Sequence, residues 1–343
     1  MSKKNSSVNL KNGFKDFSDL SSIYLNFKKK LDNLNKKKYL VAVSGGPDSL
    51  ALVALTKAYN HQRKTNFHYA LVDHNIRKNS NKEAKKVKKL LKNEKINLRI
   101  LLNKREIIKN IQAEARKARY ELLLTYCKKN KIKIILTAHN LEDQVETFLI
   151  RLSRGSGLKG LSAMKIKSDI GNQNILFRPL LDIKKKFLIK ISKNIFGSYI
   201  KDPSNKNSKF LRTKIRSLKK PLENSGIKYE RIFKSIQNLS FSKSTLDKYQ
   251  GDILKKLIKK RRKEVLINFK EYKDLGSETK IVLINEAIKK IKKNYYDLRS
   301  KKVENLIKNL NRKDFKKATL GGCFFIKKGE NLCLKDEKFK NFK

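Results

Sequence analysis

The feature that most constrains the fold is an alternation between Tyr39 and Ser153, where short apolar runs are separated by helical stretches. Residues 40–43, 67–72, 98–102 and 132–137 read as strands, and 48–60, 80–93, 109–129 and 141–153 as helices. Strands joined by helices form βαβ units, which predicts an α/β fold: a doubly wound, mostly parallel sheet with helices on both faces. In such folds ligands bind beyond the carboxyl ends of the strands. Unusual residues follow three of these ends: Ser44-Gly45-Gly46-Pro47-Asp48-Ser49, then Asp73-His74-Asn75-Ile76-Arg77, and later His139.

A small-residue turn between strand and helix gathers free backbone N–H groups and the positive helix end at one point, which suits a phosphate. The turn at 44–49 is not a P-loop, because no lysine stands inside it. Its glycines let the backbone approach an anion, Ser44 and Ser49 offer hydroxyls, and Asp48 is placed to hold magnesium. An ordinary Gly-Pro turn uses the same letters, so the nucleotide reading leans on the neighbouring strand ends. Asp73 can contact an adenosine, hold a metal or merely cap the next turn.

Further along, Arg116, Arg119 and Tyr120 share one helix face, able to stabilise developing phosphate charge or to serve as a solvated charged surface. In Ala138-His139-Asn140-Leu141-Glu142-Asp143-Gln144-Val145-Glu146-Thr147, Asp143 and Glu146 lie at i,i+3 on a face that starts at His139. That trio can bind magnesium, receive a cationic amine or take its proton. The stretch Arg154-Gly155-Ser156-Gly157-Leu158-Lys159-Gly160-Leu161 is too rich in glycine for a helix and predicts a mobile loop. Residues 175–182 read as a short extended segment leading into a helix from Lys184 to Asn194. Asp202-Pro203-Ser204-Asn205 is turn chemistry, followed by a basic helix from Arg212 to Lys220. The Arg154 loop and the Arg212, Lys214, Arg216 set read as phosphate contacts for a large ligand, the alternative being a solvated basic surface.

Lysine and arginine number 85 against 31 acidic residues, a net charge of +54 that argues for a polyanionic partner. The abundance of Lys, Asn and Ile and the absence of Trp suggest compositional bias as well, but bias does not account for so few carboxylates. Cys127, Cys323 and Cys333 are odd in number and widely spaced, which removes disulfide frameworks and Cys-x-x-Cys metal sites. Met1 to Lys15 lacks the apolar core of a signal peptide and no run approaches the ~18 apolar residues of a membrane span, so a soluble cytoplasmic protein is expected.

The chain divides into a polar lead over 1–20, a nucleotide-binding catalytic domain over 21–220 and a C-terminal domain over 221–343. The last is expected to be smaller and mainly helical, with helices over 228–250, 252–264, 278–293 and 299–310. It should end in a β-hairpin around Lys328-Gly329-Glu330-Asn331.

The loop at Ser44–Ser49 resembles the pyrophosphate-binding loop of ATP pyrophosphatases. Together with Asp73 to Arg77, Ala113 to Tyr120, Ala138 to Thr147, Arg154 to Leu161, Arg178-Pro179-Leu180-Leu181 and Asp202 to Asn205 with Arg212 and Arg216, it resembles the tRNA(Ile)-lysidine synthases over about residues 38–220. The tail Thr319-Leu320-Gly321-Gly322-Cys323 is similar to the ending of some members. The resemblance implies an adenine nucleotide α-hydrolase-like fold and an ATP-dependent ligase that joins L-lysine to C2 of the wobble cytidine of tRNA(Ile) with a CAU anticodon. An adenylated cytidine is the implied intermediate, and AMP and pyrophosphate are released.

Carried over by motif, Ser44, Gly45, Gly46, Pro47 and Ser49 would hold the ATP phosphates, Asp48 the Mg2+, and Asp73 and His139 would lie at the nucleotide. Asp143 and Glu146 would receive or deprotonate the lysine amine, Arg116 or Arg119 would stabilise adenylation, and Arg154, Arg178, Arg212 and Arg216 would contact tRNA. The C-terminal domain would bind tRNA, and a homodimer is the assembly considered. The chain departs from the family at Glu142, where many relatives have Asp, and in a short region after 220 without a clear match to the basic C-terminal module of longer members. A tRNA thiolase would need cysteine pairs that this spacing lacks. An amidotransferase-linked ligase would need room for a glutaminase domain, and a non-catalytic RNA-binding protein leaves His139, Asp143 and Glu146 without a purpose.

Overall fold

The structure, a computed structural model, describes residues 18–77, 79–171, 173–200, 211–262, 264–292, 298, 300–312 and 314–338. The polar lead before Ser18 and the turn Asp202-Pro203-Ser204-Asn205 lie outside the described residues. By its internal contacts the chain forms two compact units, 1–240 and 241–343.

In the first unit, α1 (Ser18–Asp32) precedes β1 (Lys38–Val43), α2 (Pro47–Gln62), β2 (Asn66–Asp73), α3 (Ser80–Asn93), β3 (Leu98–Leu102), α4 (Ile111–Lys129), β4 (Ile134–Leu136) and α5 (Leu141–Leu152). The alternation read from sequence is thus the alternation of the fold. A helical turn α6 (Leu158–Leu161) follows, then β5 (Lys167–Ile170), β6 (Asn174–Phe177), α7 (Lys185–Phe196), α8 (Leu211–Ser217) and α9 (Lys219–Asn224). The sheet has six strands in the order β3-β2-β1-β4-β6-β5. Every pairing is parallel except that of β5 with β6, which adds an antiparallel edge.

Side chains alternate along β1 as the pleat requires. Tyr39, Val41 and Val43 enter a core shared with α1, α2, α3 and α7, whereas Leu40 enters a second core with Leu123 and Cys127 of α4. Helix α2 is buried along most of its length, from Ser49 to Thr56 and again at Ala58 and Tyr59. This is why it is apolar all round rather than striped. With α2 and α3 on one face and α4 on the other, the chain runs outward from β1 to β3 and returns to β4 on the far side of β1. The order of strands therefore reverses between β1 and β4, and the crevice beyond their carboxyl ends is the switch point where such sheets bind ligands.

The expected boundary at Lys220-Pro221 falls inside α9, whose first turn accommodates the proline. Tyr229 and Ile236 of α10 (Tyr229–Leu257) extend the first unit by packing with Leu141 and Val145 of α5.

In the second unit β7 (Ile258–Lys260), β8 (Glu264–Asn268), α11 (Phe269–Lys273), α12 (Ser277–Ile291), α13 (Ser300–Leu310), β9 (Lys317–Leu320), β10 (Cys323–Lys328) and β11 (Asn331–Asp336) follow α10. The expected terminal hairpin is present as β10 and β11, but it belongs to a five-stranded antiparallel sheet, β7-β8-β11-β10-β9. A second helix was expected over 252–264. Instead α10 runs on through Gly251, and 258–260 pair with β8, where Arg261 N–H donates to Glu264 O at 2.8 Å to close the turn. Sheet pairing with Val265 and Ile267 in the core overrides the lysine-rich helical pattern there. Among the described residues no helix is long and apolar enough to cross a membrane.

Candidate active site

The loop after β1 is held by its two serines. Ser49 Oγ accepts from Ser44 N–H at 3.2 Å and from Ser44 Oγ at 3.1 Å, and donates to Gly46 O at 2.9 Å. Gly46 caps α2 in an extended conformation without a side-chain acceptor, so the N–H groups of the first helical turn face the crevice. Gly45 has φ +81°, and a Cβ there would meet Val87 Cγ2 of α3 at 2.5 Å. Only glycine satisfies both conditions.

Asp48 sits in that first turn, 3.7 Å from Lys185 Nζ at the start of α7. Burial pushes its carboxyl up to about 6, although Lys185 opposes the shift. Its Oδ1 is buried without a hydrogen-bond partner. A buried, unbonded carboxylate oxygen beside this turn fits Mg2+, which usually combines one or two carboxylates with phosphate oxygens. Asp73 caps its turn, accepting from Asn75 N–H at 3.0 Å, yet its Oδ2 is also buried and unbonded. Capping the turn therefore leaves Oδ2 available for the adenosine or metal readings of Asp73.

Beyond β4, Thr137 Oγ1 and His139 Nδ1 are 3.0 Å apart. Burial, followed by the positive charge of Arg178, Arg212, Arg119 and Arg116, lowers the His139 pKa to about 3. The imidazole is thus neutral near pH 7 and lies among four guanidiniums, surroundings suited to a polyanion. Arg116 and Arg119 each place a guanidinium over the Tyr120 ring, at 5.1 and 5.3 Å from its centroid. Arg116 is exposed, Arg119 is half-buried with its pKa lowered by desolvation, and among the described residues neither forms an ion pair.

Asp143 closes a capping box with Asn140: Asp143 N–H donates to Asn140 Oδ1 at 2.9 Å, and Asn140 N–H to Asp143 Oδ2 at 3.1 Å. Glu146 is buried, and its two oxygens accept from Arg212 Nε at 2.8 Å and Arg216 Nε at 2.6 Å. Asp143 Oδ1 accepts from Arg212 Nη2 at 3.2 Å and lies 3.6 Å from Arg216 Nη2. The i,i+3 acids of α5 and the i,i+4 arginines of α8 thus form a four-membered clamp. Glu146 raises the Arg216 pKa through this contact, against burial. Arg212 and Arg216, expected at an RNA backbone, are engaged with the acidic pair.

Arg178 is also turned inward, donating from Nη1 to Lys165 O at 2.8 Å and Ser168 Oγ at 3.0 Å, which fastens the antiparallel edge strand. Arg154 is exposed. The glycine-rich stretch, expected to be a mobile loop without helix, instead contains the short helix α6, because it and the residues that follow it are tied to α5. Arg151 Nη1 donates to Gly160 O at 2.7 Å and Ala163 O at 2.9 Å, and the Gln144 side chain exchanges two 2.8 Å bonds with the Met164 backbone.

Two residues complete the site: Glu142, noted from sequence only as a departure from the family and given no role, and Lys185, not singled out at all. Glu142 accepts from Lys185 N–H at 2.8 Å and from Lys219 Nζ at 3.2 Å. It thereby caps α7, whose own N-cap, Lys184, has no side-chain cap. Lys185 faces Asp48 and supplies the cation that the turn lacks. Its run Lys184-Lys185-Lys186 is indistinguishable from the lysine background, and the role of Glu142 depends on a partner 43 residues away.

Residues 20–222 match the PP-loop domain family, an ATP-binding domain. The tRNA(Ile)-lysidine synthase of Wolbachia pipientis wMel is 36% identical over 299 residues, 86% of this chain and 69% of that protein. That of the Wolbachia of Brugia malayi (strain TRS) is 33% identical over 338 residues, 97% of this chain and 76% of that protein. Among solved structures, the U34-tRNA thiolase NcsA from Methanococcus maripaludis superposes with a TM-score of 0.55 at 20% identity, over 64% of this chain and 79% of that one. This last likeness concerns the fold alone. With a PP-loop domain over more than half its length and relatives of this identity matched over most of theirs, the chain belongs to the tRNA(Ile)-lysidine synthase family.

Proposed function

We propose that the chain joins L-lysine to the wobble cytidine of tRNA(Ile) with a CAU anticodon at the expense of ATP. The observation that carries this reading is an acidic pair, Asp143 and Glu146, kept beside the nucleotide crevice of a chain with net charge +54 and filled there by guanidiniums. A site that holds a cation next to a phosphate cradle fits a reaction between a cationic amine and an activated oxygen.

Ser44, Gly45, Gly46, Pro47 and Ser49, with the free N–H groups of α2, hold the ATP phosphates, and Lys185 offsets their charge. Asp48, with Asp73 near the adenosine, would hold Mg2+, which when bound neutralises phosphate charge and helps pyrophosphate leave. The cytidine C2 oxygen attacks the α-phosphorus, forming an O–P bond while the bond to the β-phosphate oxygen breaks. Arg116 or Arg119 stabilises the charge that develops, and Arg119 is the better placed because it is less hydrated. Neutral His139 offers a hydrogen bond without adding charge. The lysine ε-amine then attacks C2, its proton passes to Asp143 or Glu146, and AMP leaves with the C2 oxygen. In this scheme Arg212 and Arg216 occupy the amine site until lysine arrives, then turn to the RNA backbone together with Arg154. Arg178 acts by shaping the edge of the crevice rather than by reaching RNA.

The test is incubation with ATP, radiolabelled lysine and a tRNA(Ile) transcript bearing CAU. Lysine-dependent label on that tRNA, with AMP released in equal amount, is expected. Tight tRNA binding without label would support a non-catalytic RNA-binding protein instead.

A further inference from the structure

Helix α3 carries Lys82, Lys85, Lys86, Lys88, Lys89 and Lys92, all exposed, while Ala84, Val87 and Leu91 form its buried stripe. At 100° per residue the lysines occupy the arc opposite that stripe and extend about 15 Å along the axis. The one acid of the helix, Glu83, is engaged by Arg77 at 3.1 Å. Among the described residues none of the six lysines forms an ion pair.

Like charges recur at i,i+3 and i,i+4 (82/85, 82/86, 85/88, 85/89, 86/89, 88/92, 89/92), which destabilises a helix standing alone. Lys82 also lies in the first turn, against the helix dipole. A face so arranged gains from a polyanion. Its position says which one. Val87 packs directly under Gly45 of the phosphate loop, and α3 starts just after the carboxyl end of β2, at the ligand-binding edge of the sheet. The lysines therefore form a track that begins beside the crevice and leads away from it. A nucleotide whose base enters the crevice must run its backbone out along a neighbouring surface.

We propose that the exposed face of α3 is a phosphate track for the tRNA backbone flanking the base held in the crevice. The inference rests on the tRNA reading above, and a solvated lysine face is its rival. Fifteen ångströms accommodate about two or three phosphates, so the track should contribute about 2 to the slope of log K against log salt.

The test is the triple variant Lys85→Gln/Lys86→Gln/Lys89→Gln in the full chain, titrated with the tRNA(Ile) transcript at several KCl concentrations. The expected result is about tenfold weaker binding at low salt, a slope reduced by about 1 since half of the six lysines are removed, and an unchanged thermal shift with ATP. A triple Lys→Arg variant should behave as the parent. Parental affinity and slope in the Gln variant would overturn the proposal. So would intact tRNA binding combined with lost retention on anionic phosphatidylglycerol vesicles, which would assign the face to a membrane surface. If the parent chain binds tRNA but attaches no lysine, the ligase reading fails while a changed slope still supports the track. If the parent does not bind tRNA, both fail.

Discussion

Asp48→Asn should stabilise the ligand-free chain. The Asp48 side chain is 24% exposed, its Oδ1 is buried and unbonded, and burial moves its pKa from 3.8 to about 6. The folded value lies above the unfolded one, so between the two the folded chain binds more protons and stability falls as pH rises through that window. About two pH units of difference correspond to ~3 kcal/mol once the group is ionised in both states. Asparagine removes the charge at nearly constant shape. In EDTA and without ATP, the variant should be more stable than the parent by ~3 kcal/mol at pH 7.5, ~1.5 at pH 5 and under ~1 at pH 4. For a unit of this size each kcal/mol moves Tm by about 2–4 °C, giving a rise of roughly 6–12 °C at pH 7.5. Thermal melts from pH 4 to 8 read this directly. Mg2+-ATP at about a thousandfold excess over Kd should reverse the order, raising the parent by ~4.1 kcal/mol and leaving the variant nearly unchanged. A variant Tm at or below the parent's at pH 7.5, or a gap that does not shrink towards pH 4, would refute the argument from burial.

Glu146→Gln should lower Tm by several degrees, because a buried acceptor of two guanidiniums loses its charge at a cost of ~2–3 kcal/mol after allowing for the partly hydrated arginines. Arg216→Gln should lower KM for lysine by removing a competing cation, and a higher KM would sink the idea that the clamp stands in the lysine site. Asp143→Asn should raise KM for lysine about tenfold with KM for ATP within twofold, whereas equal losses would mean that its role is misassigned. Gly45→Ala combines a left-handed backbone with a Cβ against Val87, so a loss of ~2–5 kcal/mol and of the ATP thermal shift is expected, measured by melting with and without ATP. Glu142→Ala should cost ~1–2 kcal/mol by uncapping α7, whereas Glu142→Gln keeps an acceptor and most of the stability. Equal melting points for these two variants would exclude the capping role.

What the sequence by itself determined is local and periodic. The four apolar runs, the helices between them, the turn at Ser44–Ser49 and the i,i+3 acids at 143 and 146 follow from side-chain spacing, and they locate the crevice because strand ends in such sheets share an edge. The short strands β5, β7, β8 and β9 were not legible in the sequence: β5 and β7 carry no apolar alternation and exist through a neighbour's hydrogen bonds, and β8 and β9, of five and four residues, are too short to stand out from the lysine-rich background. The tertiary structure alone decided which charges meet. Lys185 faces Asp48 across 137 residues of sequence, Glu142 caps α7, and Arg212 and Arg216 close on Asp143 and Glu146 instead of projecting outward. Coulombic pairing depends on distance in space and on burial, and neither is written in the spacing of letters.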